Sequence, residues 1–122
     1  MSPFLKDGKV LFCSRNTEGL KRGSVVVFTF ECSNKYFVKR IVGLPGEKVE
    51  ITDGVLLING HFNEINKLFA LPLNITNELN DWVLGKDQYF VIGDNLLNSN
   101  DSRNYGPINK IHITSKMILK IW

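Results

Sequence analysis

Short apolar bursts, each about the length of a strand and closed by Gly, Pro, Asn or Asp, recur along this chain. The clearest is residues 24–30, Ser-Val-Val-Val-Phe-Thr-Phe, whose unbroken apolar character predicts a strand buried on both faces. Residues 9–13 predict a shorter strand behind a Lys6-Asp7-Gly8 turn, and the polar, glycine-containing stretch 16–23 predicts a loop. Val49-Glu50-Ile51 and Val55-Leu56-Leu57-Ile58 flank Asp53-Gly54, a two-residue hairpin signal, and Asn59-Gly60 supplies another turn. Residues 88–92 read as a strand halted by Gly93-Asp94-Asn95. Ile111, Ile113, Met117, Leu119 and Ile121 alternate as a final strand or two. Residues 64–86 have no clear period; rich in Asn and Leu, with Pro72 inside, they fit a short helix or an irregular excursion equally well. Short strands at close spacing with hardly a helix predict an all-β or mainly β fold.

One burst has unusual chemistry. Residues 36–42, Tyr-Phe-Val-Lys-Arg-Ile-Val, read as a strand that runs into a Gly43-Leu44-Pro45-Gly46 turn. Alternation puts Phe37, Lys39 and Ile41 on one face and Val38, Arg40 and Val42 on the other. An ammonium between Phe and Ile is poorly solvated if that face is buried, and desolvation lowers a lysine pKa. Moving it from about 10.4 to near 7 costs roughly 4–5 kcal/mol. The functional reading is a neutral, general-base lysine. The ordinary reading, which these residues alone favour, is a strand-edge lysine that snorkels to water and guards the edge.

Composition narrows the class. A chain of 122 residues supports one domain with a real core, and 43% hydrophobic with 22% charged residues argues against disorder. The net charge of +3 is compatible with an anionic membrane surface and too small to argue for nucleic acid. The aromatics sit inside apolar strands rather than beside Lys and Arg, which further disfavours a nucleic-acid module. No signal peptide and no apolar run long enough to span a bilayer is present, so the expectation is a soluble domain. Cys13 and Cys32 are compatible with a disulfide or with two free thiols, the latter being the commoner case.

A second segment, residues 93–107, is built of small polar groups: Gly93-Asp94-Asn95-Leu96-Leu97-Asn98-Ser99-Asn100-Asp101-Ser102-Arg103-Asn104-Tyr105-Gly106-Pro107. Such a stretch is ordinarily a solvated loop. In an extended segment Asp101 and Arg103 project the same way and can pair, and the Ser99 hydroxyl could hold an amine in place.

Together these segments resemble type I signal peptidases. Tyr-Phe-Val-Lys-Arg-Ile-Val-Gly-Leu-Pro-Gly-Glu is similar to that family's lysine box, and Gly-Asp-Asn-x-x-Asn-Ser-x-Asp-Ser-Arg-x-Tyr-Gly-Pro to its C-terminal box. Residues 22–28, Arg-Gly-Ser-Val-Val-Val-Phe, resemble its Arg-Gly-Asp-hydrophobic strand, and Met1-Ser2-Pro3-Phe4-Leu5 the end of its Ser-Met-x-Pro-Thr-Leu box. The resemblance implies antiparallel β-sheets of a signal-peptidase catalytic domain over 1–122, with a small inserted cap-like excursion over about 61–86. It implies a serine–lysine dyad endopeptidase that removes signal peptides from exported preproteins after Ala-x-Ala-like sites, with no cofactor and no metal. Lys39 matches the general base, and Ser99 the serine that orients it. Asp101 and Arg103 match a bracing salt bridge, Gly93, Asp94 and Asn95 shape the loop, and Arg40 belongs to the structural network. Met1, Leu5, Val27 and Val38 match the lining of a groove that takes an extended peptide by strand addition. The implied partners are signal peptides of preproteins and the membrane surface, with no nucleic acid; the implied location is the extracytoplasmic side of the plasma membrane.

This chain also departs from the pattern. Leu96 and Leu97 replace an Arg-Asp pair, Ser24 an Asp and Phe4 a Thr. The nucleophilic serine falls one position before Met1, so it is absent from these residues, as are the membrane anchor and the oxyanion-hole serine. Ser2 occupies the variable position of the motif. The expectation is a truncated chain that is inactive as it stands. The alternatives are a peptide-binding pseudoenzyme and a pilin-maturation or mitochondrial inner-membrane peptidase relative.

Overall fold

A computed structural model of the chain describes residues 2–6, 9–30, 35–69, 73, 80–93 and 100–121, with residues 2–6, 9–12 and 118–121 described by backbone alone. The strands in chain order are β1 (Ser2–Lys6), β2 (Lys9–Ser14), β3 (Val25–Phe28), β4 (Phe37–Gly43), β5 (Lys48–Thr52), β6 (Val55–Ile58), β7 (His61–Phe62), β8 (Asp81–Val83), β9 (Gln88–Ile92), β10 (Ile108–Asn109) and β11 (Ile113–Ile121). One sheet has the order β1-β2-β11-β3-β4-β9-β10, and a smaller one β7-β6-β5-β8. Every strand pairing among the described residues is antiparallel. The fold is mainly β, as the strand-length bursts predict.

The hairpin signals are realised. Asp53 and Gly54 have φ of 52° and 79°, and Asn59 and Gly60 have 52° and 82°, the left-handed pairs that tight two-residue turns require. Val26, Val27 and Phe28 are all buried, so β3 is covered on both faces as its composition predicts. The same holds for β4 and β9. Ile41 and Val91 pack with Val26, Phe28, Tyr89, Ile108 and Ile113 in one core, whereas Val42, Phe90 and Ile92 pack with Val49, Ile51, Leu56 and Trp82 of the small sheet in another. Strands shared by two cores cannot slip register without exposing both, so their positions are fixed tightly.

The described parts of residues 64–86 carry more regular structure than the sequence suggests. Glu64–Leu68 is a 3₁₀ helix capped by Asn63, and β8 pairs with β5 through Val49↔Trp82. Two strands of the cap-like excursion, β7 and β8, flank β6 and β5, which precede it in sequence. Among the described residues, no helix is long and apolar enough to cross a membrane.

Candidate active site

The candidate site is organised by β4. Cross-strand partners share a face of a sheet, and β3 pairs with β4 through Val26↔Lys39 and Phe28↔Phe37. Lys39 therefore shares its face with Val26, Phe28, Phe37 and Ile41, all members of the larger sheet's aromatic core or packed against it. This is the face that alternation predicts. The edge-strand reading of Lys39 is overturned, because β4 lies between β3 and β9. Two runs with ordinary strand composition can be edge or centre; only the order of assembly decides.

The Gly-Leu-Pro-Gly turn after β4 uses its two glycines differently. Leu44 O accepts from Glu47 N at 3.1 Å, with Pro45 and Gly46 as the central residues and Gly46 at φ 81°. That is the turn type that wants Pro first and Gly second. Gly43 serves packing instead: a Cβ there would lie 2.7 Å from Val49 Cγ2 and 2.9 Å from Phe90 Cβ. Glu47 then closes the turn, its Oε1 accepting from Leu44 N at 2.7 Å. The same carboxylate is gripped by Arg22 at 2.7 and 2.8 Å, while Arg22 also donates to Val42 O at 3.0 Å. Arg40 donates to Gly23 O at 2.9 Å, and Gly23 N to Ile41 O at 2.7 Å. The Arg22–Glu47 pair was not anticipated; the two residues lie far apart in sequence, and nothing local links them.

At the other side of β4, β9 pairs through Arg40↔Ile92 and Ile41↔Val91. Lys39 precedes the first of these pairs and Gly93 follows it, so β9 ends beside Lys39. The outer edge of β9 is covered first by β10, through Tyr89↔Ile108. Alternate N–H groups of a strand point to the same side, and the next two on that side are satisfied by side chains. Val91 N donates to Ser102 Oγ at 2.9 Å, and Gly93 N to Asp101 Oδ2 at 3.1 Å.

Asp101 also pairs with Arg103 as expected, through Nε to Oδ1 and a second guanidinium nitrogen to Oδ2, both at 2.9 Å. The local backbone is not the extended segment anticipated: Ser102–Tyr105 is a one-turn helix, α1. Asp101 is its N-cap and accepts from Arg103 N at 3.0 Å, while Asn104 Oδ1 accepts from Asp101 N at 3.1 Å. The Asp-x-x-Asn spacing, a capping box with Asn in place of Glu or Gln, was the available signal. Asp101, Ser102 and Arg103 are all buried. The Tyr105 hydroxyl is buried too, and its pKa is raised by desolvation and by the nearby Asp101 charge.

Of the expected peptide-lining residues, Val27 and Val38 face each other across β3 and β4. Val27 is 1% exposed and Val38 half-buried. Cys13 and Met117 pack with them. Cys13 is a free, buried thiol whose pKa burial pushes up. Leu5 lies in β1, described by backbone alone; Met1, Cys32, Asp94, Asn95 and Ser99 lie outside the described residues.

Comparison with known proteins fits this geometry. The family model described as signal peptidase, peptidase S26, matches residues 1–122. Signal peptidase I T of Bacillus subtilis (strain 168) is 40% identical over 114 residues, which cover 85% of this chain and 59% of that protein. Signal peptidase I of Bacillus amyloliquefaciens is 39% identical over 131 residues, covering 97% of this chain and 68% of its own length. The chain thus spans about three fifths to two thirds of these relatives. The crystal structure of a signal peptidase I from Enterococcus faecalis V583 superposes with a TM-score of 0.64 at 28% identity, covering 80% of this chain and 96% of that one. With matched sequence over its whole length and a shared antiparallel architecture, this chain belongs to the signal peptidase, peptidase S26 family.

Proposed function

We propose that this chain carries the catalytic core of a serine endopeptidase that removes signal peptides from exported preproteins after Ala-x-Ala-like sites. The observation that carries the reading is the position of Lys39: half-buried on an interior strand, on the apolar face of Val26, Phe37 and Ile41, beside the end of β9. An apolar surround favours the neutral amine, which is the form a general base needs. In this reading Lys39 takes the proton of a serine directly preceding Met1 as the hydroxyl attacks the scissile carbonyl. It then returns that proton to the leaving amine, and water completes the cycle by the same route. Ser99 orients the amine, and the Asp101–Arg103 pair braces the end of β9.

The peptide adds as an extended strand, so residues separated by one position point the same way and both alanines of Ala-x-Ala meet the Val38 wall. The shallow wall over a buried Val27 supports a preference for small side chains. The domain works at the extracytoplasmic face of the plasma membrane.

Two chains test the proposal on a fluorogenic Ala-x-Ala peptide in detergent: residues 1–122, and the same chain extended upstream through the serine and its oxyanion partner. The extended chain is expected to cleave after Ala-x-Ala. Residues 1–122 are expected to stay near background, lacking both nucleophile and oxyanion donor. Ser99→Ala in the extended chain should lower kcat by about 10–10³-fold with little change in peptide affinity. Cleavage by residues 1–122 that vanishes on Ser2→Ala would refute the assignment of the nucleophile.

A further inference from the structure

Lys21 to Ser24 form a four-residue turn: Ser24 N donates to Lys21 O at 3.0 Å, and Gly23 takes the positive-φ corner at 93°. β3 begins only at Val25, opposite Arg40, so the β3–β4 ladder stops just past Lys39. The turn takes over from it. Gly23 N donates to Ile41 O at 2.7 Å and Ile41 N to Ser24 O at 2.8 Å, two residues of the turn against one of β4, as in a β-bulge. On the other side the β4–β9 register shifts between Ile41 and Gly43, which leaves Val42 out of the pairing.

Arg22 and Glu47 act at these two irregular points. The Arg22 guanidinium donates to Val42 O at 3.0 Å and to both carboxylate oxygens of Glu47, at 2.7 and 2.8 Å. Glu47 Oε1 in turn accepts from Leu44 N at 2.7 Å. The pair is mostly buried, with side chains 22% and 16% exposed. It grips the main chain of β4 and its turn at Val42 and Leu44, where side chains replace strand partners. The Lys67–Glu64 pair, at 3.8 Å, is exposed at both ends and joins only residues of one 3₁₀ helix.

The level of β4 matters because its partner in the reaction is remote along the sheet. The serine of the proposed mechanism precedes β1, and β2, β11 and β3 stand between β1 and β4 in the strand order. No local geometry fixes the distance from that hydroxyl to the Lys39 amine. A displacement of about 1 Å at a reacting group costs on the order of 10²-fold in rate.

We propose that Arg22 and Glu47 are positioning residues for Lys39: their ion pair fixes the level of β4 against β3 and thereby holds the amine on its apolar face. This role rests on Lys39 being the base, and one of its readouts needs no cleavage.

That readout is the pH titration of Lys39 in the 122-residue chain, followed by the ¹³C resonance of its Cε, which is assigned by its loss in Lys39→Ala. The variants are Arg22→Gln and Glu47→Gln. The described side chains that share the face of Lys39 are Val26, Phe28, Phe37 and Ile41, so a loosened strand gives the amine more water. Its midpoint then moves up towards the ordinary value of about 10.4. Both variants are expected to raise it. Charge alone would separate them, since losing a cation favours the ammonium and losing an anion disfavours it. The other charged groups around β4, Arg40 on its opposite face and the Asp101–Arg103 pair at the end of β9, are unchanged in both. Opposite shifts, or none, would overturn the proposal. Arg22→Lys keeps the charge but cannot grip both carboxylate oxygens and Val42 O, so it should give a smaller rise. It stands in where a glutamine variant melts too low to titrate.

The second readout is cleavage by the upstream-extended chain, well below each thermal midpoint. Both glutamine variants should lower kcat by about 10–100-fold and leave KM within about twofold, because Val27 and Val38 stay paired in the intact part of the ladder. Arg22→Lys should recover part of the loss, and Lys67→Gln should match the unaltered chain. Lower thermal midpoints with unchanged kcat would mark a purely structural pair and overturn the proposal. If the extended chain cleaves nothing, the general-base reading fails, while the titration still decides whether the pair places the amine.

Discussion

Lys39 differs from an ordinary surface lysine by its neighbours on the sheet, not by its neighbours in sequence. Phe37 and Ile41 are visible in the chain; Val26, across β3, is not, and neither is the interior position of β4. In the upstream-extended chain, Lys39→Ala should abolish cleavage without loss of thermal stability, because a base is removed and a desolvation cost relieved. Lys39→Arg should be equally inactive, since arginine keeps its proton at any working pH. Measurable turnover by the arginine variant would refute the general-base role. Gly43 is a second residue whose reason is tertiary. Its Cβ has no room against Val49 and Phe90, so Gly43→Ala should destabilise by about 1–3 kcal/mol in denaturant unfolding, whereas Gly46 is held by its positive φ.

On the scale of elements, β9 and α1 form one unit. β10 covers the first part of the outer edge of β9, and then Ser102 and Asp101 side chains take over as if they were strand. Arg103→Ala would leave the Asp101 carboxylate buried without its cation and should cost roughly 3–5 kcal/mol. Ser102→Ala should cost about 1–3 kcal/mol by orphaning Val91 N–H. The contrast is measured by urea midpoints of the two variants; equal midpoints would mean that the ion pair is not the main brace. The Asp101–Arg103 pair was legible from spacing alone, because its partners are two residues apart. The helix was less so: the long run of Asn, Ser and Asp signals turn chemistry in general, and a single helical turn has too few residues to show a period.

The whole molecule is two sheets joined through β4 and β9, whose opposite faces feed different cores. The Arg22–Glu47 pair ties the loop before β3 to the turn after β4, across that junction. Burial pushes the Glu47 pKa up, but the Arg22 hydrogen bonds, the Leu44 N–H and the Arg22 charge together bring it below its ordinary 4.5. A carboxylate lowered by folding stabilises fully above its unfolded pKa, and that contribution is lost as pH falls through the folded value. The thermal midpoint should therefore drop on acidification below about 4.5 more steeply for the unaltered chain than for Glu47→Gln. Parallel curves for the two would show that the pair does not link folding to acid.

The sequence by itself determined the longer strands β2 to β6, β9 and β11, both left-handed hairpin turns, the apolar face around Lys39, and a family resemblance carried by its boxes. All of these are local: alternation, turn residues and short motifs are written in consecutive positions, and backbone sterics read them directly. Only the tertiary structure decided that Lys39 lies on an interior strand, that Val27 is buried and Val38 half-buried, that Arg22 grips Glu47, and that β7 and β8 complete a sheet begun by β5 and β6. Those facts depend on which strands become neighbours. Strand order is set by burying several apolar faces at once, a condition on the whole chain that no single stretch of it contains.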